Sequence, residues 1–141
     1  MITLKNAEQI AKMREAGHLL NDVLMEVCRA VEPGVTTRHL DHIAERLIRQ
    51  AGAKPSFLGY EGYPASLCTS VDDIVVHGFP DDKPLQEGST VGMDIGLILN
   101  GWQSDMARTV CVGNVSAETR RLVDVTKQSF FKGLAFCKPG Y

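Results

Sequence analysis

The chain has 141 residues, 44% hydrophobic and 23% charged, which is enough for one domain with a real core and excludes disordered and collagen-like classes. Fifteen Lys and Arg against seventeen Asp and Glu give a formal charge of -2, and the basic residues form no stripe, which argues against nucleic acid as a partner. Cys28, Cys68, Cys111 and Cys137 lack zinc or disulfide spacing, and neither a leader-like apolar segment nor a membrane-length run is present, so a reduced, cytoplasmic chain without membrane insertion is expected.

In "NAEQIAKMREAGHLLNDVLMEVCRAVEPG", Asn6 and Gln9 have capping-box spacing, and Ile10, Met13, Leu20, Val23, Leu24, Val27 and Val31 recur at helical intervals. Pro33-Gly34 ends this predicted helix. A second helix starts from Thr36 or Thr37, places Leu40, Ile43, Ala44, Leu47 and Ile48 on one face, and stops at Gly52. On it, His39 and His42 beside Asp41 and Glu45 read as a solvated face, and His18 falls inside the first helix. "KPSFLGYEGYPAS" reads as an ordered loop. "SLCTSV" and "DIVVHG" read as short strands turning at Asp72-Asp73, followed by the polar loop "PDDKPLQEG". The last predicted helix starts at Ser116, places Leu122, Val123, Thr126, Phe130 and Leu134 on one face, and stops at Pro139-Gly140 before Tyr141.

Between these lies "GMDIGLILNGWQSDMARTV", where Asn100-Gly101 separates two hydrophobic runs, the strongest short-range hairpin signal. A two-residue turn there makes paired residue numbers sum to 201, so Asp94 opposes Ala107 and Asp105 opposes Gly96. Both carboxylates then share a face as diagonal neighbours, roughly 7 Å apart at the backbone. A metal pair would remove the repulsion between them. Two other outcomes stay open: a bulge would reverse the parity, or Asp105 pairs with Arg108 or solvent while Asp94 caps a turn at Gly96.

"PSFLGYEGYPASLCTS", "VVHGFP" and "MDIGLILNGWQSDMARTV", in this order and spacing, resemble the type I methionine aminopeptidases of the pita-bread metallopeptidase family. The resemblance implies an α/β (α+β) fold: the N-terminal half of a pseudo-symmetric pita bread, with an antiparallel hairpin and short strands covered by amphipathic helices. It implies two divalent metal ions (Mn, Co, Fe or Zn), with Asp94 and Asp105 as ligands. His77 falls on the family histidine that contacts substrate near the scissile amide and assists the tetrahedral intermediate; its alternative is a turn residue bonding backbone. Phe57, Tyr60, Tyr63 and Cys68 fall on positions lining the methionine pocket, with loop packing as their alternative. Asp72 stands where the family usually has Asn, and Gln103 where it often has His.

The implied activity is removal of the initiator methionine from nascent polypeptides, with the ribosome as a further partner. The family's remaining ligands, one histidine and two glutamates, fall beyond "KPG". Residues 1–141 are thus expected to form a single, truncated catalytic-type domain, inactive by itself, with an apolar face open to a complementing chain or to self-association. The rival reading is a non-catalytic pita-bread protein that binds peptides or partners.

Overall fold

In the computed structural model, residues 2–140 are described; Met1 and Tyr141 lie outside the described residues. The capping box forms as expected: the Asn6 side chain accepts from the Gln9 amide and the Asn6 amide donates to Gln9 Oε1, both at 2.9 Å. Helix α1 runs Ala7–Arg29 and buries Ala16, Leu20, Val23, Leu24 and Val27. Its first turns bury none of their residues, and Ile10 and Met13, on the predicted apolar face, are 44% and 41% exposed. The helix ends before Pro33-Gly34, which form the following turn.

Helix α2 (Thr37–Gln50) is capped by the Thr36 hydroxyl, which accepts from the His39 amide, and Leu40, Ala44 and Ile48 are fully buried on it. His39 and His42 are exposed, but Asp41 is not on their solvated face. It is buried, and its Oδ1 accepts from the amides of Ser66 and Leu67 at 2.8 and 2.9 Å, fixing the point where the next strand begins.

Four strands follow: β1 (Lys54–Pro55), β2 (Leu67–Val71), β3 (Thr90–Leu99) and β4 (Trp102–Cys111). All pair antiparallel with β3. β4 pairs along the whole of β3, so β1 and β2 share its other edge in tandem. Asn100 and Gly101 have φ of 51° and 82°, as the two-residue turn requires. Odd residues of β3, Val91, Met93, Ile95 and Leu97, join the core under α1 and α2. Even residues face the other way, and on that side lies the pocket.

"DIVVHG" is not a strand. Asp72, just before it, and His77 within it take positive φ (51° and 57°), which breaks strand geometry at both ends, and Ile74, Val75 and Val76 are exposed. The segment touches the free edge of β2 through Gly78. Helix α3 (Ala117–Leu134) is capped by Ser116 as expected but buries none of its residues; the apolar positions read as core-facing include Leu122 at 67% and Phe130 at 65% exposure. It ends at Leu134, before Pro139-Gly140. Among the described residues no helix is long and apolar enough to cross a membrane.

Candidate metal centre and substrate pocket

The register is the one derived from the turn: Asp94 pairs with Ala107, Gly96 with Asp105, and no bulge intervenes. Asp94 and Asp105 therefore stand on one face of the hairpin as diagonal neighbours. Cys68 of β2 pairs with Asp94, which puts its thiol on the same face.

All seven site residues anticipated from the sequence, Phe57, Tyr60, Tyr63, Cys68, His77, Asp94 and Asp105, line one cavity of about 510 Å³. Three further lining residues, Glu61, Gly62 and Phe79, escaped the sequence reading. Phe79 could have been found as an extension of the aromatic run, since it directly follows His77-Gly78.

Local geometry explains why the aromatic loop reaches the strands. Gly96 has no side chain, and a Cβ there would lie 2.9 Å from Phe57 Cε1 and 3.0 Å from Ser56 Oγ, so the loop can rest directly on β3. The Ser56 amide donates to the Gly96 carbonyl at 3.0 Å. Tyr63 stands edge-on to Phe57 and to Phe79, with ring centroids 6.4 and 5.2 Å apart.

His77 occupies the left-handed region, at a cost of about 1–2 kcal/mol for an L-residue. Gly78 holds it there: a Cβ on Gly78 would lie 2.2 Å from the Thr69 carbonyl oxygen. The Thr69 amide donates to the Gly78 carbonyl at 2.9 Å, and the Tyr63 hydroxyl donates to the same carbonyl at 3.1 Å.

Burial pushes the Asp94 carboxyl above its ordinary value, and the neighbouring Asp105 pushes it further, with His77 opposing. Asp94 Oδ1 is buried without a hydrogen-bond partner. An orphaned carboxylate oxygen beside a second carboxylate suits a hard divalent cation, which would reverse both effects. Among the described residues no third His, Cys, Asp or Glu groups with this pair as an ion-holding set. Burial also raises the Cys68 thiol, reinforced by Asp94 and Asp105 and opposed by Tyr63, so it lines the cavity as a neutral, apolar group. Asp72 is engaged elsewhere: it accepts from the Thr90 amide and the Ser89 hydroxyl, both at 2.9 Å.

The methionine aminopeptidase of Clostridium perfringens is 50% identical over 134 residues, covering 95% of this chain and 54% of that relative. The crystal structure of methionine aminopeptidase from Thermotoga maritima matches 99% of this chain and 57% of its own at a TM-score of 0.95 and 35% identity. That from Rickettsia prowazekii matches 94% and 54% at a TM-score of 0.92 and 39% identity. This chain thus spans about half the length of the curated relatives it matches, and over that span its α/β architecture is that of the pita-bread fold. Residues 11–141, which hold α2, the aromatic loop, the His77-Gly78 segment and the hairpin with its two aspartates, match the profile of Metallopeptidase family M24, and the chain belongs to that family.

Proposed function

We propose that this chain supplies two metal-binding aspartates, the substrate histidine and the methionine pocket of a methionyl aminopeptidase. Asp94 and Asp105 would hold the divalent ions, two in number and drawn from Mn, Co, Fe or Zn. The observation carrying this reading is the shared face of Asp94 and Asp105 in one cavity with His77, where Asp94 Oδ1 has no other partner. When bound, such ions supply Lewis acidity toward the scissile carbonyl and lower the pKa of water.

The chain's own residues do the rest. Phe57, Tyr60, Tyr63 and Cys68 offer an apolar, sulfur-tolerant wall to a thioether side chain. His77 donates a hydrogen bond toward the reacting amide and stabilises the charge that develops there. The substrate is the N-terminal methionine of nascent polypeptides, with the ribosome as a further partner and the cytoplasm, suited to four free thiols, as location. The exposed apolar residues of α3 make a complementing chain or a second copy the contact on that side. A purely peptide-binding role finds less support, because it gives the paired aspartates no task.

Two carboxylates and water hold transition metals weakly, since affinity follows ligand number and type. The polypeptide of these 141 residues is therefore expected to release no methionine from Met-Gly-Met peptides with added Mn or Co. Mixed with a polypeptide spanning the rest of the relatives' length, it is expected to do so, and Asp94→Asn is expected to abolish the release. Turnover proportional to the amount of isolated chain would overturn the ligand argument. Undiminished turnover of the mixture with Asp94→Asn would overturn the assignment itself.

A further inference from the structure

We infer that the Tyr63 hydroxyl is a positioning device for His77, acting through the Gly78 carbonyl, in addition to any part its ring plays in the pocket. The inference rests on the substrate role proposed for His77.

His77 lies outside the sheet, so strand pairing does not fix it. Its placement passes to Gly78, whose carbonyl accepts from the Thr69 amide at 2.9 Å and from the Tyr63 hydroxyl at 3.1 Å, while its own amide makes a long 3.4 Å contact to Ser70 Oγ. The same Tyr63 hydroxyl lies 3.2 Å from the Leu67 carbonyl, at the first residue of β2. One phenolic proton thus sits between two carbonyl oxygens, one on the sheet and one on the histidine segment. Without it the two carbonyls would lose their shared donor, and the Thr69 amide would be left as the main tie between Gly78 and β2. The edge contacts with Phe57 and Phe79 fix the ring, so the hydroxyl is aimed rather than free to rotate away. Ring and hydroxyl are thus separable: the ring borders the cavity, while the hydroxyl ties its back wall together.

Tyr63→Phe preserves the ring and removes the tether, and para-aminophenylalanine at the same position restores a donor. By NMR on the 141-residue chain, the native His77 side chain is expected to show a single χ1 rotamer. In Tyr63→Phe that rotamer is expected to average, and exchange of the Thr69 amide to quicken roughly five- to ten-fold. Both are expected to return with para-aminophenylalanine. Unchanged His77 couplings and Thr69 exchange in Tyr63→Phe would overturn the inference. So would failure of the amino analogue to restore them while its circular dichroism matches the native chain. In peptide hydrolysis by the mixture with the complementing polypeptide, Tyr63→Phe is expected to lower kcat about ten-fold with little change in KM, as slight misplacement of a reacting group does. A change confined to KM would reduce Tyr63 to a pocket wall and sink the positioning role. Absence of hydrolysis by the native mixture would instead count against the proposed function, and the NMR comparison would still decide the tether.

Discussion

Phe57 lies across Gly96 so closely that a Cβ on the glycine would stand 2.9 Å from its ring. Gly96→Ala is therefore expected to push Phe57 and Ser56 off the strand, narrowing the cavity. Overpacking of this kind costs about 1–3 kcal/mol, measurable by urea denaturation. In the methionyl-peptide hydrolysis proposed for the mixture with a complementing polypeptide, KM is expected to rise more than kcat falls.

Asp105 pushes the Asp94 carboxyl up, and a cation between the two would relieve that repulsion. Calorimetry is expected to show that Mn raises the stability of the native chain, by about 1.4 kcal/mol once the ion reaches roughly ten times its Kd. Asp94→Asn and Asp105→Asn are expected to lose that response. Asp105→Asn should also stabilise the ion-free chain at neutral pH, because burial and Asp105 together oppose ionisation of Asp94.

A different pH dependence is expected from Asp41. Burial raises its carboxyl, and the amides of Ser66 and Leu67 only partly offset this. The folded chain thus holds that proton more tightly than the unfolded chain. Its contribution to stability is full below the ordinary value of 3.8 and falls as pH rises through the folded value. Compared with Asp41→Asn by denaturation at several pH values, the native chain should fare relatively best below pH 3.8 and lose ground above it. Contributions from Asp94 cancel in that comparison.

Leu122, Phe130 and Phe131 on α3 are each more than half exposed, and Phe130 and Phe131 meet edge-on at 5.4 Å. The isolated chain is expected to self-associate through them, with light scattering above the mass of one chain. Phe131→Glu is expected to return it toward that mass without loss of folding, since α3 buries none of its residues against the rest of the molecule.

The hairpin was legible because Asn100-Gly101 fixes both turn and register, and with register comes the shared face of the two aspartates. The helix caps at Asn6, Thr36 and Ser116 were legible for a similar reason, since each depends on residues three positions apart. What depended on distant partners was not. Asp41 carries the polar signature of a surface residue, and only the arrival of Ser66 and Leu67 amides explains its burial. "DIVVHG" has strand composition, but Asp72 before it and His77 within it adopt positive φ, with Asp72 held by Thr90 and Ser89 and Gly78 by β2. Periodicity put Ile10, Met13 and Leu122 on apolar faces without saying what, if anything, covers those faces. The resemblance brought together side chains from loop, strand and turn that no periodicity could have joined.

The two-faced alternation of β3 has one more implication. Adding or deleting a single codon between Val91 and Leu99 would exchange inside for outside along the ribbon: Met93 and Ile95 would turn toward water, and an acidic group would be driven into oil. Unless a bulge absorbed the change, the length of this stretch thus governs where Asp94 points as firmly as its sequence does.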